Sequence, residues 1–290
     1  MNIRSLFAGL LSACLALPAL PSFAQVAVDF TFMENKAIMY EPIIARLSLK
    51  NNFGNPIRFG ASPTDARLIF DIQTTGGDYI FPHSKDPLLT GVDINPNETR
   101  EMEIEIGRLF PLQRLGRFKA QAIVEWRGAA YGSKPRILEI ANGVELMRIK
   151  ASVPNSEDEL RAYILKTMPK DDGTELYLLI EDEAGGRICG LVNLGCFIRS
   201  PDPSMRVDEV GNLHVLFRAI GGSFVHSSFT PFGVRLFSDP ISPGPGGKAE
   251  LVNMPNGDVG IKTIQLKPAK FDTPEQPERS KYDWMFPSRN

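Results

Sequence analysis

The chain has 290 residues, of which 43 % are hydrophobic and 23 % are charged, and its formal net charge at pH 7 is −2. These proportions are typical of a globular protein and exclude an intrinsically disordered one. The charge balance also lacks the basic excess that is typical of nucleic-acid-binding proteins, so we expect no nucleic-acid partner.

Residues 1–24 have the layout of a secretory signal peptide. Arg4 supplies the positive start, the stretch Leu6–Leu17 is apolar, and the Ser-Phe-Ala sequence at 22–24 is a small-x-small cleavage site. We therefore expect export to the periplasm, the cell surface or the medium, with removal of this segment. The apolar stretch is shorter than a membrane-spanning helix, and we expect no transmembrane segment further along the chain.

A second interpretation of this leader is processing as a lipoprotein. The Leu-Ser-Ala-Cys sequence at 11–14 resembles the lipobox, in which the cysteine becomes lipidated. Cys14 would then become the N-terminus and anchor the protein to a membrane. We disfavour this alternative because few apolar residues precede the site and because the segment after Cys14 stays apolar.

Residues 25–153 alternate between apolar and polar side chains with a period of two, which predicts antiparallel strands with one buried face. The alternating runs are 26–32, 43–50, 68–72, 102–106 and 118–126. Turn-forming sequences rich in Asn, Gly and Pro separate these runs. We therefore expect at least six short strands arranged as a β-sandwich.

The same region resembles a known fold. The sequences EPIIARLSLKNNFGNPIRF, INPNETREMEIEI and LGRFKAQAIVEW resemble immunoglobulin-like or fibronectin-type-III-like domains of bacterial exported proteins. The resemblance implies an immunoglobulin-like β-sandwich over residues 25–153. It implies no activity, because domains of this fold serve unrelated functions.

Residues 154–267 contain three segments with one plan, in which a glycine-bearing turn joins two extended runs. The segments are LLIEDEAGGRICGLV, MRVDEVGNLHVLF and ELVNMPNGDVGIKTI. We expect each to form a β-hairpin, which makes this region a second antiparallel domain of hairpin repeats. The sequence DEVGNLHVLFR resembles the repeat of exported β-propellers, including the sialidase-like ones, but about 110 residues make two to three blades at most.

Residues 268–290 form a proline-rich tail, which we expect to be extended. It carries an aromatic cluster around Trp284 that either docks on its own domain or is offered to a partner. We favour docking on its own domain, because aromatic clusters in tails are easily buried locally.

Cys189 and Cys196 are the two cysteines that follow the leader. On one continuous strand their Cα atoms would lie about 23 Å apart, whereas a disulfide needs less than about 7 Å. A disulfide therefore requires the chain to reverse between them, which the intervening glycines allow. Of the two alternatives, we favour two buried thiols over the bridge.

His214 and His226 lie in the segment DEVGNLHVLFRAIGGSFVHSSF, whose histidines, serines and acidic residues are types found in catalytic and metal sites. If Gly221 and Gly222 form a two-residue turn, Phe217 faces His226 across the hairpin. The two imidazoles then point to opposite faces of the sheet and cannot share a metal ion, unless a bulge changes the parity. We therefore expect a plain hairpin without a metal site.

The acidic sequence Glu181-Asp182-Glu183 is the carboxylate set that could serve a glycosidase. Adjacent carboxylates on a strand point to opposite faces, whereas glycoside hydrolysis needs two that converge on a sugar. We interpret this set as a solvated turn. The chain also lacks the Gly-x-Ser-x-Gly elbow of serine hydrolases, and we predict no catalytic residue and no cofactor.

These patterns predict an exported, non-enzymatic protein of two β domains with a binding or structural role at the cell envelope, where its partner is a protein or a glycan. Open strand edges in the C-terminal domain would allow a homo-oligomer. The alternative is an exported enzyme that acts on glycans, suggested by the propeller-like hairpin. Converging carboxylates in a cleft around Glu181, Asp208 or Glu209 would favour the enzyme.

Overall fold

The computed structural model describes residues 25–265 except residues 155, 157, 158, 185 and 245. Over these residues the regular secondary structure is almost entirely β-strand, with one single-turn helix, which confirms the predicted all-β class. The leader with Cys14 and the tail with Trp284 lie outside the described residues. No helix in the described part of the chain has the length and apolarity needed to cross a membrane.

The first compact unit ends at Gly143, and its described part contains ten strands and one single-turn helix. These are β1 (Val26–Phe32), β2 (Lys36–Ile38), β3 (Ile44–Asn51), β4 (Ile57–Phe59), β5 (Arg67–Thr74), β6 (Val92–Ile94), β7 (Thr99–Glu105), α1 (Ile106–Leu109), β8 (Gly116–Trp126), β9 (Ala129–Gly132) and β10 (Arg136–Ala141). One sheet has the order β1–β3–β7, and a second has the order β2–β10–β8–β5 with β9 paired to β8. β4 and β6 form a two-stranded sheet.

The predicted alternation produces the core of this unit. Phe30, Leu47, Phe70 and Phe118 are buried, come from both larger sheets and belong to one hydrophobic cluster. The ring centroids of Phe30 and Phe70 lie 5.5 Å apart, which joins β1 to β5. The two sheets therefore share one core.

The second compact unit begins at Val144, and its described part contains ten further strands. These are β11 (Val144–Ser152), β12 (Leu160–Lys170), β13 (Gly173–Asp182), β14 (Ile188–Ile198), β15 (Ser204–Val207), β16 (Leu213–Ala219), β17 (Phe224–Phe229), β18 (Arg235–Ile241), β19 (Lys248–Asn253) and β20 (Val259–Ile264). The main sheet has eight strands in the order β11–β12–β13–β14–β16–β17–β18, with β15 paired to β16. β19 and β20 form a separate two-stranded sheet.

The boundary between the units lies ten residues before the predicted one, after residue 143 instead of residue 153. The strand that causes the difference is β11, which the sequence assigned to the first domain. Each of its residues from Lys150 to Ser152 pairs with a residue of β12, so the strand belongs to the second unit. This pairing depends on a partner later in the chain, which the alternation within β11 does not reveal.

The three predicted hairpins are confirmed. β13 pairs with β14, β15 with β16, and β19 with β20, and all three pairs are antiparallel. The first two hairpins belong to the same eight-stranded sheet. This arrangement differs from a propeller, in which each four-stranded blade is a sheet of its own.

β16 presents its two faces to different layers. Val215 and Phe217 belong to the large cluster that β12, β13 and β14 also line. Leu216, on the opposite face, packs in a smaller cluster with Leu251 of β19. Because side chains alternate along a strand, His214 shares the face of Leu216 and points to the side covered by the β19–β20 hairpin.

Cys189 and Cys196 both lie on β14, and their side chains are thiols that no disulfide joins. The chain does not reverse between them. Gly195 instead adopts a φ of 91° at an irregularity in the pairing of β14 with β13, and the strand continues beyond it. Both cysteines are partly exposed, in contrast to the buried thiols that we expected.

Candidate functional site

The turn between β16 and β17 decides where the two histidines point. The backbone N–H of Ala219 donates to the carbonyl of Ser223 at 2.9 Å, and the N–H of Gly222 donates to the carbonyl of Ala219 at 2.9 Å. Three residues therefore connect the strands, where the sequence predicted two. Gly222 has a φ of 86°, which is the left-handed position that this type of three-residue loop requires.

The additional loop residue changes the pairing of the two strands. Leu216, and not Phe217, lies opposite His226. His226 therefore shares a face with His214, and the prediction that the imidazoles point to opposite faces is wrong. The argument from the sequence that the two histidines cannot share a metal ion therefore no longer holds.

The two imidazoles form part of a chain of polar side chains. His214 Nδ1 lies 3.0 Å from His226 Nε2, so that one ring donates its N–H to the other. His214 Nε2 lies 3.3 Å from Asp208 Oδ2. The ring of Phe237 packs edge-on against His226 at 4.9 Å between centroids and closes one side of the pair. A continuous chain thus runs from His226 through His214 to Asp208.

Asp208 is held by the loop that joins β15 to β16. Its Oδ1 accepts the backbone N–H of Asn212 at 2.7 Å, and its Oδ2 accepts the Asn212 side-chain amide at 3.1 Å. Gly211 has a φ of 85°, and its Cα faces Pro154 so closely that a side chain would collide with the proline ring. The side chain of Asp208 is only 6 % exposed, which fixes its carboxylate beside His214.

A second carboxylate reaches the same imidazole from the turn between β19 and β20. Asp258 Oδ1 lies 3.9 Å from His214 Nε2, and its side chain is 59 % exposed. The two loops are joined because the backbone N–H of Glu209 donates to the carbonyl of Gly257 at 3.0 Å. Asp208, His214 and Asp258 therefore place three potential metal-ligand atoms within 4.8 Å of one another.

These residues line an open cleft of about 350 Å³. Val210 and Leu236, both exposed, form apolar parts of its wall. Glu209 adds a third carboxylate, and no Lys or Arg lies among the residues that line the cleft. The cleft is therefore acidic, with one imidazole nitrogen directed to its floor.

Burial lowers the pKa of His226 to about 4, and the adjacent His214 acts in the same direction. The carboxylates of Asp239 and Asp258 oppose this shift without cancelling it. His226 is therefore neutral at pH 7, and one of its ring nitrogens can accept a hydrogen bond.

Lowering the pH from 6.5 to 4 is expected to destabilise the second unit of the chelator-treated protein. Unfolded His226 takes up a proton near pH 6.5, whereas the folded protein resists protonation down to about pH 4. The unfolded state binds more protons in this window, so the free energy of unfolding falls as the pH falls. We expect this residue to contribute about 2 kcal/mol to the loss, after allowance for solvent screening.

Urea denaturation at the two ends of this pH window measures the effect. The variant His226→Gln cannot take up the proton and should lose about 2 kcal/mol less than the wild type between the same pH values. An equal loss in both proteins would contradict the prediction.

The structure places the predicted acidic sequence away from the cleft. Glu181 pairs with Arg148 at 3.4 Å, Asp182 lies 3.6 Å from Arg161, and Glu183 pairs with Lys150. These carboxylates are balanced by cations on neighbouring strands and do not converge. Of the acids that the sequence offered for an enzyme, Asp208 and Glu209 are the ones that line the cleft.

Of the third histidine of the chain and the two serines that follow His226, only Ser228 lines the cleft. His83 is exposed in the first unit, and its backbone N–H donates to Leu109. Ser227 bonds to Ser238 on the face opposite to His226, whereas Ser228 lines the cleft. The sequence therefore missed two features, namely the pairing of the histidines and the approach of Asp258. The Asn-Gly-Asp turn signalled the hairpin that carries Asp258, but not its position over β16.

No protein-family model matches this chain, and no curated protein matches it. Six chains of solved structures match. One of them is the sporulation control protein Spo0M from Bacillus subtilis, with 10 % sequence identity, a TM-score of 0.27, and coverage of 71 % of this chain and 91 % of that chain.

Proposed function

We propose that the protein is an exported, non-enzymatic binding protein of the cell envelope, and that the cleft around Asp208, His214 and Asp258 is its binding site. The layout of residues 1–24 supports export, because it is typical of a secretory signal peptide. The partner class is a protein or a glycan of the envelope.

The observation that carries this proposal is the buried polar chain His226–His214–Asp208, which ends at an open cleft. Replacing a buried, hydrogen-bonded pair by apolar groups of the same shape is nearly neutral or stabilising, so packing alone does not call for such a chain. Val210 and Leu236 add apolar walls beside it. A few polar groups set among apolar walls are typical of ligand-binding pockets.

The two units have separate parts in this proposal. We assign the first unit to the immunoglobulin-like sandwiches, an assignment supported by two sheets that share one core.

A homo-oligomer would form through an edge of the eight-stranded sheet, at β11 or β18. Pro240 lies in β18 and cannot donate a ladder hydrogen bond, which favours β11 as the edge that pairs.

One observation favours the alternative of a glycan-acting enzyme. Asp208 and Asp258 converge at the cleft, with their nearest oxygens within 4.8 Å. Retaining glycosidases place two carboxyl groups at about 5 Å on either side of the sugar bond. Against this alternative, Asp208 is only 6 % exposed and already accepts hydrogen bonds from Asn212, so its carboxylate is not presented to a sugar.

The binding proposal is tested by sedimentation of the purified chain 25–290 with the isolated envelope fraction of a Gram-negative host, which contains membranes and peptidoglycan. The variant Val210→Asp adds a charge to the apolar wall of the cleft. We expect it to weaken co-sedimentation about tenfold. The matched control is Val234→Asp, at another exposed valine of the same unit that does not line the cleft, and it should sediment as the wild type does.

Treating the envelope fraction with a protease or a muramidase beforehand identifies the partner as a protein or a glycan. Equal sedimentation of both variants and the wild type, or no sedimentation, would overturn the proposal. Release of reducing sugars from peptidoglycan that is lost in Asp258→Asn would replace it with the enzymatic alternative.

A further inference from the structure

We infer that the cleft of the second unit binds one divalent transition-metal ion, with Asp208, His214 and Asp258 as its ligands and Zn²⁺ as the ion of best fit. This inference rests on the proposal that the cleft is a binding site, and it names the ligand of that site.

The distances among the three ligand atoms suit such an ion. Ligands at about 2.0–2.2 Å in a tetrahedral arrangement lie about 3.3 Å from one another. His214 Nε2 and Asp208 Oδ2 are already separated by 3.3 Å. Asp258 Oδ1 is 3.9 Å from the same nitrogen and accepts the backbone N–H of the adjacent Val259 at 2.7 Å. Because the side chain is exposed on a turn and a carboxylate oxygen has a second lone pair, a small rotation brings it to the required distance while this bond is kept.

The negative charge of the cleft favours the binding of a cation. Asp208, Glu209 and Asp258 line it, and among the described residues no Lys or Arg forms an ion pair with any of the three. Other carboxylates of the protein do have such a partner, as Asp93 has Arg58 at 2.9 Å. Two carboxylates at one imidazole nitrogen and a third in the same cleft, without a basic side chain among the lining residues, form the kind of environment that attracts a metal ion.

The other ring nitrogen of His214, Nδ1, makes the kind of hydrogen bond that orients a ligating histidine in a metal site. A ligating histidine donates its remaining N–H to an acceptor, and His226 Nε2, 3.0 Å from His214 Nδ1, is placed to be that acceptor. With the ion on Nε2, the proton of His214 resides on Nδ1 and is donated to His226. Asn212 orients the carboxylate of Asp208 in the same way. His226 is therefore a positioning residue, and Asp208, His214 and Asp258 are the ligands.

The ligand set also narrows the identity of the ion. Ca²⁺ and Mg²⁺ take six or more oxygen ligands, whereas this site offers an imidazole and two carboxylates. Three protein ligands and an open side are typical of zinc sites that keep one coordination position for water or another molecule. The cleft supplies that open side.

The inference is tested with the untagged chain 25–290, stripped of metal with a chelator and titrated calorimetrically with Zn²⁺. We expect one ion per chain with a Kd in the micromolar range or below. Co²⁺ should bind at the same position with visible absorption bands typical of four or five ligands, while Ca²⁺ should not compete.

Asp258→Asn is the decisive variant, because the side chain is exposed and asparagine keeps an oxygen that can accept the Val259 N–H while removing the charge. Replacing a residue that only supports a ligand costs up to about 100-fold in metal affinity. Because Asp258 is itself a ligand, we expect this variant to weaken Zn²⁺ binding by more than that. The control is Asp239→Asn, whose carboxylate lies opposite His226 on β18 but does not line the cleft. This control should bind Zn²⁺ as the wild type does.

His226→Gln should weaken Zn²⁺ binding about tenfold and shift the Co²⁺ bands at unchanged circular dichroism, as expected for a positioning residue. Equal Zn²⁺ affinities of the wild type and Asp258→Asn would overturn the inference and leave the polar chain as a structural hydrogen-bond array. Zn²⁺ binding without co-sedimentation with the envelope fraction would overturn the proposed function alone. Co-sedimentation without Zn²⁺ binding would overturn this inference alone.

Discussion

Replacing Phe30 with alanine is expected to lower the free energy of unfolding of the first unit by about 4 kcal/mol, within the range for large aromatic residues in a core. Phe30 is 1 % exposed, and its ring contacts those of Phe32 and Phe70 at 5.0 and 5.5 Å between centroids. Its removal opens a cavity where β1 meets β5. The two sheets would lose the contact that joins them at this point.

The fluorescence of Trp126, which is buried in the same unit, reports this unfolding in a Trp284→Phe background. Phe81→Ala is the matched control, because Phe81 belongs to the same unit and is 75 % exposed. Its loss should stay below about 0.5 kcal/mol. Similar losses for the two variants would show that Phe30 does not bridge the sheets.

Replacing Asp208 with alanine is expected to cost the second unit about 3 kcal/mol in the presence of a chelator. The carboxylate accepts the backbone N–H and the side-chain amide of Asn212 and lies beside His214 Nε2. Alanine leaves these buried or partly buried donors without an acceptor, and water cannot fully replace the carboxylate. Asp208→Asn keeps one acceptor oxygen and should cost about 1 kcal/mol.

Chemical denaturation followed by hydrogen exchange of the β15–β16 loop measures the effect. Asp258→Asn serves as the control, since that side chain is exposed and asparagine keeps the oxygen that accepts the Val259 N–H. We expect a change below about 0.5 kcal/mol for the control under the same conditions. A loss for Asp258→Asn as large as that for Asp208→Ala would contradict the assignment of Asp208 as the residue that holds the loop.

The strands of both units could be predicted because alternation is a local property. Phe30, Leu47 and Phe118 were expected on buried faces from the period of two alone, and all three are buried. The boundary between the units could not be predicted in the same way. It depends on β11 pairing with β12, which is a contact between strands and not a pattern within one.

The candidate site was missed for a related reason. The glycines at 221 and 222 predicted a hairpin turn at the correct place, but not the number of residues in the loop. That number sets which residues face each other, and one additional residue brought His226 to the side of His214. Asp258 comes from another hairpin, and composition carries no information on where that hairpin packs.

Deletion of a single codon in the turn between β16 and β17 would therefore separate the positioning residue from the three ligands without changing the identity of any of them. His226 would rotate into the apolar core, and His214 would lose its neighbour. A homologous chain that keeps both histidines and both aspartates, but differs by one residue at this turn, would keep the ligands and lack the hydrogen bond that orients His214. Loop length is thus inherited as part of the site, together with the identity of its side chains.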